Sequence, residues 1–264
     1  MKKSFGQHLL TDKNYLNKII KNLALEKNDV VIEIGAGSGL LTNELSRLVE
    51  KVYAVELEKN IIKKLHENIK LNNLKNVEVI NKDFLELDLI ETAGELFSVV
   101  GNIPYNITSQ ILLKLLGEID KPAEHLKHTR QIYLMMQLEV AQRLVAKLGT
   151  KAYSPLSLLI QFFTNPKIIF KIPKGAFVPA PKVESAFVVF EPKKTLPKCK
   201  DYLLLKNVIR TGFQQRRKKL INALEKLFED KQIIRQVFDK LGFSHNLRAE
   251  NLSLSDYCLL VDNL

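Results

Sequence analysis

The segment Val30-Val31-Ile32-Glu33-Ile34-Gly35-Ala36-Gly37-Ser38-Gly39 constrains this chain more than any other. A short run of buried-strand character enters a turn with glycine at alternate positions, and the helix-like pattern Leu40 to Leu48 follows at once. Parallel strands need a crossover, usually helical, so a strand that feeds a glycine turn into a helix opens a parallel α/β unit. Val52 to Val55 reads as the second strand, ending at Glu56. Lys59 to Lys70 reads as the next helix, with Ile61, Ile62, Leu65 and Ile69 on its apolar face. Val77 to Ile80, Leu96 to Val100 and Ile132 to Met135 are further strand candidates, alternating with helical Ser109 to Leu116 and Leu138 to Leu148. The expected fold is α/β with a mostly parallel central sheet.

The later chain changes character. Pro155 to Gln161 reads as helix, Phe162 to Ile172 as a strand interrupted at Asn165-Pro166, and Ala186 to Phe190 as another strand. Between these two strands lies the turn Phe177-Val178-Pro179-Ala180-Pro181. Antiparallel strands at the sheet edge fit this stretch. Glu191 to Lys200 carries Pro192, Pro197 and four lysines, which sets an expected boundary: an α/β domain over 1–190, a linker over 191–200 and a small all-helical domain over 201–264. Its helices are expected at Tyr202 to Gly212, Arg216 to Phe228, Ile233 to Leu241 and Ser255 to Leu264, with Ser255 as a cap.

At 264 residues and 46% hydrophobic composition the chain can bury a substantial core. Its 40 basic and 29 acidic side chains give a formal charge of +11. That surplus attracts a polyanion, although solubility alone can account for it. Cys199 and Cys258 form neither a zinc motif nor a disulfide framework, so reduced thiols are expected. The basic, polar start lacks a signal-peptide apolar region, and no 18-residue apolar span is present. A soluble cytoplasmic protein, without a membrane partner, is the expectation.

Gly35, Gly37 and Gly39 let the backbone approach a ligand closely, and the following helix presents its positive end. NAD, FAD and S-adenosylmethionine enzymes all use such a turn, and a purely structural bend is the alternative. No Gly-Lys-Ser or Gly-Lys-Thr follows, which excludes a Walker A loop. Glu56, closing the second strand, is placed to accept hydrogen bonds from a ribose diol. Asp83, in Asn81-Lys82-Asp83-Phe84, suits either the amino group of a cofactor adenine or a helix or turn cap. Glu33 either contacts ligand or orders the glycine turn.

Asn102-Ile103-Pro104-Tyr105 follows the strand Leu96 to Val100 and supplies the complementary half. An adenine N6 lone pair is delocalised into its ring and is a poor nucleophile. The Asn102 side-chain carbonyl and the Ile103 backbone carbonyl can accept the N6 hydrogens and aim the lone pair, while Pro104 fixes the chain and Tyr105 stacks on the base. Phe177 offers a second aromatic wall; a hydrophobic plug over the sheet edge is its alternative reading. Positioning and charge placement suffice for transfer from a sulfonium, with no metal or covalent nucleophile.

Phe5-Gly6-Gln7-His8-Leu9-Leu10, Glu33 to Thr42, Asn102 to Thr108, Gln137 to Leu144, Tyr153 to Gln161 and Phe177 to Ser185 resemble successive signatures of the ribosomal RNA adenine N6-dimethyltransferases. Phe213 to Leu224 and Arg248 to Ser253 resemble the small-subunit branch rather than the large-subunit enzymes of macrolide resistance. The resemblance implies a Rossmann-like, S-adenosylmethionine-dependent catalytic domain. It also implies dimethylation of two adjacent adenosines near the 3′ end of 16S rRNA in a 30S precursor, during late subunit maturation. It places His8, Leu10, Gly35, Glu56, Asp83 and Asn102 at the donor, where Glu33, Gly37, Gly39, Leu57 and Phe84 are the neighbouring candidates. Asn102, Ile103, Pro104, Tyr105 and Phe177 then fall at the target base. His8 stands where many relatives carry Asn, and Glu58 where many carry Asp. Arg216, Arg217, Lys218 and Lys219 are the expected RNA contacts, extended by Lys2, Lys3, Lys193, Lys194 and Lys198; a solvated helix face is the alternative. A 23S rRNA methyltransferase and a non-catalytic ribosome-assembly protein are the competing functions. No dedicated apolar dimerisation segment is visible, so a monomer is expected.

Overall fold

The structure, a computed structural model, describes residues 8–264; Lys2, Lys3 and the Phe5-Gly6-Gln7 portion of the first signature lie outside the described residues. The chain divides into two compact units. The first takes in residues up to Leu116, Ala123–Ala141 and Pro166–Pro192, and the second Gly117–Pro122, Gln142–Asn165 and Lys193–Leu264.

Seven strands form the main sheet: β1 (Val30–Ile34), β2 (Lys51–Glu56), β3 (Val77–Asn81), β4 (Phe97–Asn102), β5 (Thr129–Gln137), β6 (Thr164–Ile172) and β7 (Ser185–Pro192). Their spatial order is β3-β2-β1-β4-β5-β7-β6. Pairs from β3 to β5 are parallel, whereas β7 runs antiparallel to β5, with Ser185 opposite Gln137 and Phe190 opposite Ile132. The strand expected to break at Asn165-Pro166 is continuous. It is an edge strand, where a proline without an N–H is tolerated.

The chain leaves β1 toward β2 on one side and returns to place β4 on the other. A crevice therefore opens at the carboxyl ends of β1 and β4, the position at which open α/β sheets bind ligands. Helices α1 (Lys13–Lys21), α2 (Leu40–Leu48), α3 (Lys59–Leu71), α4 (Leu89–Ala93) and α5 (Thr108–Leu116) accompany these strands. Asp12 caps α1 through the Asn14 and Tyr15 amides, and Ile19 joins Leu41 and Leu45 of α2 against Val31, Val52 and Val100 in one apolar cluster. That burial anchors the strand ends from which the site projects.

A two-residue ladder has no signature in the periodicity: Leu9 and Leu10 pair antiparallel with Val178 and Phe177. α6 (Leu138–Leu144) is shorter than the expected Leu138 to Leu148 helix.

The second unit contains α7 (Pro155–Phe163), α8 (Tyr202–Gln214), α9 (Leu220–Leu224), α10 (Lys231–Lys240) and α11 (Leu254–Asp262). Leu205, Val208, Leu220, Leu224, Phe238, Tyr257 and Leu260 are buried along them. Ser253, not Ser255, caps α11, because its hydroxyl accepts from the Asp256 amide while Asp256 accepts from the Ser253 amide. The helix expected over Arg216 to Phe228 is confined to α9 and one following turn. The compact units also divide the chain differently from its composition. Residues 142–165 belong with the helices, and the proline-rich stretch is tied to them: Lys193 N donates to Phe163 O at 2.8 Å and Lys200 N to Asp262 Oδ1 at 2.7 Å.

Candidate active site

The glycine turn leaves β1 with Gly35, Gly37 and Gly39 at φ of 68°, 59° and 89°, a region that strains residues with a Cβ. Space adds a second constraint. A Cβ on Gly37 would stand 2.7 Å from Leu9 Cδ2, one on Gly39 2.8 Å from Leu65 Cδ1, and one on Gly35 3.3 Å from the Asn102 carbonyl oxygen.

Glu56 ends β2 with a buried carboxylate held by backbone donors. Oε2 accepts from Gly37 N at 3.0 Å, and Oε1 from Leu57 N at 2.9 Å and Glu58 N at 3.0 Å. The acid thereby locks the glycine turn to the next strand while facing the cleft. Asp83 follows β3, and its Oδ1 accepts from Leu85 N at 2.9 Å. Its capping reading is thus realised, and the carboxylate also borders the cleft.

An open cleft of about 220 Å³ joins these parts. Ile34, Phe84, Pro104, Ile107 and Ile111 provide apolar walls, Glu56 and Asp83 carboxylates, and Leu57 an exposed aliphatic edge. Apolar walls for a planar ring, acceptors at the rim and a glycine turn with no room for side chains fit an adenosine-bearing donor. Gly35 and Asn102 border a smaller adjoining recess with His8, Ile103 and Tyr105.

Glu33 has a different environment. It is almost fully buried, its Oε2 accepts from the Thr42 hydroxyl at 2.6 Å, and burial pushes its carboxyl up to about 8, with the nearby Glu56 charge adding to the rise. A neutral acid bonded to the first turn of α2 orders the glycine turn. The same residue borders a small recess with Leu10 and Ser38, which lies next to the donor cleft through Gly35.

The acceptor segment sits across Gly35. Asn102 Nδ2 donates to the His8 carbonyl at 2.6 Å, which fixes the amide and leaves Oδ1 as its acceptor end. Ile103 is buried and its N–H donates to Met135 O at 3.2 Å, so the bend at Pro104 is fastened to β5. The Tyr105 hydroxyl pairs with Ser185 Oγ at 2.6 Å, and partial burial holds the phenol above its ordinary range, hence neutral at physiological pH. Its ring centroid lies 5.4 Å from that of His8, whose Nδ1 bonds the Pro179 carbonyl at 2.7 Å.

Phe177 requires a correction. Its ring is 2% exposed and packed in the cluster with Leu10, Tyr133 and Phe187, while its backbone pairs with Leu10. In this structure it is the hydrophobic plug and not an open aromatic wall.

Two contributors escaped the sequence reading. Ser185 holds the Tyr105 ring from a strand 80 residues away, a separation that leaves no local signature. Gly101 had one: an isolated glycine inside an apolar run marks close backbone approach. A Cβ there would stand 2.8 Å from both Ile34 Cβ and Ile34 O, beneath the crevice.

The parallel sheet, its glycine turn at the switch point and the acid on the adjacent strand define a Rossmann-like nucleoside-cofactor fold, and the similarities that follow place it among the S-adenosylmethionine-dependent methyltransferases. The full chain, residues 1–264, matches the family described as ribosomal RNA adenine dimethylase, and it belongs to that family. A ribosomal RNA small subunit methyltransferase A from Caldanaerobacter subterraneus subsp. tengcongensis is 38% identical over 269 residues, covering 100% of this chain and 97% of its own. The protein of that name from Crocosphaera subtropica is 38% identical over 265 residues, covering 98% and 96%. A solved dimethyladenosine transferase from Plasmodium falciparum aligns with a TM-score of 0.80 at 26% identity, covering 96% of each chain. The 23S rRNA methyltransferase ErmE shares the fold, with a TM-score of 0.76 at 23% identity over 97% of this chain and 99% of its own. No helix among the described residues is long and apolar enough to cross a membrane.

Proposed function

We propose that this chain dimethylates N6 of two adjacent adenosines near the 3′ end of 16S rRNA, acting as a cytoplasmic monomer on a 30S precursor late in small-subunit assembly. Full-length similarity to small-subunit methyltransferases supports that substrate over the large subunit, because the shared fold extends to both kinds of enzyme. The observation that carries the chemistry is the junction of Gly35 with Asn102: donor turn and acceptor segment meet with 3.3 Å between a virtual side chain and the Asn102 carbonyl oxygen.

S-adenosylmethionine, when bound, supplies a methyl group already activated on sulfur. Glu56 and Asp83 are the acceptors for its adenosine portion, between the walls formed by Phe84 and Ile107. Asn102 Oδ1 and the Ile103 carbonyl accept the N6 hydrogens of the target, which localises the nitrogen lone pair. Tyr105, kept neutral and braced by Ser185, stacks on the extruded base. Each transfer forms one N6–C bond, breaks one S–C bond and releases one N6 proton.

The test is incubation of an unmodified 30S precursor with labelled methyl donor, followed by nucleotide-resolution mapping. Label on two neighbouring small-subunit adenosines is the expected result. No label on the small-subunit RNA, or label at nucleotides other than two neighbouring adenosines, defeats the assignment.

A further inference from the structure

The inner face of α3 breaks its own apolar pattern. Leu65 is fully buried with Ala36 and Ala54, yet one turn further along the same face stands an amide, Asn68, half-buried against the glycine turn. The turn is closed by Gly39 N donating to Ala36 O at 3.0 Å, which leaves Gly37 and Ser38 as its central residues. Each is held from outside by a side chain. Glu56 Oε2, at the end of β2, accepts from Gly37 N, and Asn68 Nδ2, on α3, donates to Ser38 O at 2.9 Å. The fit is close: Leu65 Cδ1 lies 2.8 Å and Asn68 Nδ2 3.4 Å from where a Cβ on Gly39 would stand.

The direction of the Asn68 amide is forced. A carbonyl oxygen only accepts, so Asn68 must turn its NH2 toward Ser38 and its Oδ1 away. Asn72, the exposed cap residue at the end of α3, completes the chain: its Nδ2 donates to Asn68 Oδ1 at 2.7 Å and to Asn68 O at 3.0 Å. Asn72, Asn68 and the Ser38 carbonyl therefore run head to tail, each donor fixing the orientation of the next group.

The two supports of the turn differ in their access to ligand. Glu56 borders the larger cleft, so it acts on ligand and turn together. Asn68 borders neither that cleft nor the recess shared by Ser38, Glu33 and Leu10, so its effect on a ligand passes through the turn. Ser38 faces the recess and not the larger cleft, and the two spaces meet at Gly35.

We propose that Asn68, oriented by Asn72, is a positioning residue for the methyl donor: by holding the Ser38 carbonyl it sets the glycine turn on the side that receives the donor beyond its adenosine portion. The inference rests on the reading of the cleft as the donor site and names the residues that tune its affinity. The acceptor segment is fastened separately, through His8, Met135 and Ser185.

The experiment measures equilibrium binding of S-adenosylhomocysteine, and of methylthioadenosine, which lacks the amino-acid portion, to the full chain. Steady-state methylation of unmodified small ribosomal subunits accompanies it. Asn68→Leu removes the donor group without weakening the helix. It weakens S-adenosylhomocysteine binding about fivefold and methylthioadenosine binding less than about twofold, the scale of one lost hydrogen bond. KM for the methyl donor rises about fivefold, while kcat at saturating donor and KM for the subunit stay within about twofold of the parent. A general loss of packing moves all of these together. Asn72→Asp, on the exposed surface, sets an acceptor against Asn68 Oδ1 and weakens S-adenosylhomocysteine binding about threefold; combined with Asn68→Leu it adds less than about 1.5-fold, because the two amides act as one chain. Unchanged S-adenosylhomocysteine affinity for Asn68→Leu, an equal loss for methylthioadenosine, or an Asn72→Asp effect undiminished beside Asn68→Leu overturns the proposal. A parent chain that fails to bind S-adenosylhomocysteine defeats the donor reading and the proposal with it, whereas a parent that binds it no better than Asn68→Leu defeats the proposal alone.

Discussion

The acceptor segment Asn102 to Tyr105 and the basic turn Arg216 to Lys219 are both short runs that stand out in the sequence, yet they are built on opposite principles. Around the first, glycine spacing, strand ends and hydrogen bonds shielded in part from solvent fix each group: Asn102 is bonded to His8, Ile103 to Met135 and Tyr105 to Ser185. In the second, three of the four side chains are exposed and only Arg216 is held. Bond-making depends on preorganised geometry, whereas attraction of a polyanion adds up over mobile charges. Single substitutions therefore act steeply in one region and gradually in the other.

The largest expected effect is at Asn102. Asn102→Ala lowers the rate of N6 methylation about 10²–10³-fold, as for removal of one preorganised polar group, while initial RNA capture changes less than about twofold. Kinetics and binding measured side by side check this, and equal losses in both erase the contrast. Next is Glu33. With a folded carboxyl raised from 4.5 to about 8, the native chain holds a proton that the unfolded chain has released. This contribution to stability is fully present below about pH 4.5 and is lost as pH rises through about 8. Glu33→Gln, which mimics the neutral acid, accordingly unfolds at a higher temperature than the parent above pH 8, with the difference vanishing toward acid; thermal melts across that range decide it. Gly101→Ala, forced against Ile34, costs about 1–3 kcal/mol in denaturant titrations and also depresses methylation. The mildest is Ser185→Ala, which removes the Tyr105 brace for about 1 kcal/mol of target positioning. It raises the KM for RNA more than it lowers kcat, and an unchanged KM rejects the brace.

Much of the donor half is legible because its signals are local. The apolar run Val30–Ile34 and its glycine turn occupy adjacent positions, and β1 has the bounds that periodicity predicts. Glu56 and Asp83 stand out at strand ends for the same reason. Phe177 reads from its own neighbours as either an aromatic wall or a hydrophobic plug, and pairing with Leu10, far away in the chain, decides for the plug. Composition places the basic run on a helix, whereas its geometry depends on Glu250, 34 residues downstream of Arg216. The helical unit likewise recruits residues 142–165, an association that no composition shift marks.

The Tyr105–Ser185 bond carries a consequence in time. Residues 30–111, which include β1 to β4, contain every wall of the cleft beside Glu56 and Asp83, but the hydroxyl of the ring proposed to receive the base is bonded to a strand beginning 80 residues after it. During synthesis the cofactor half can therefore take shape well before its target half is set. A chain halted before Ser185 is expected to retain donor contacts while lacking a disciplined acceptor, so competence to transfer a methyl group arrives late in the chain's own making.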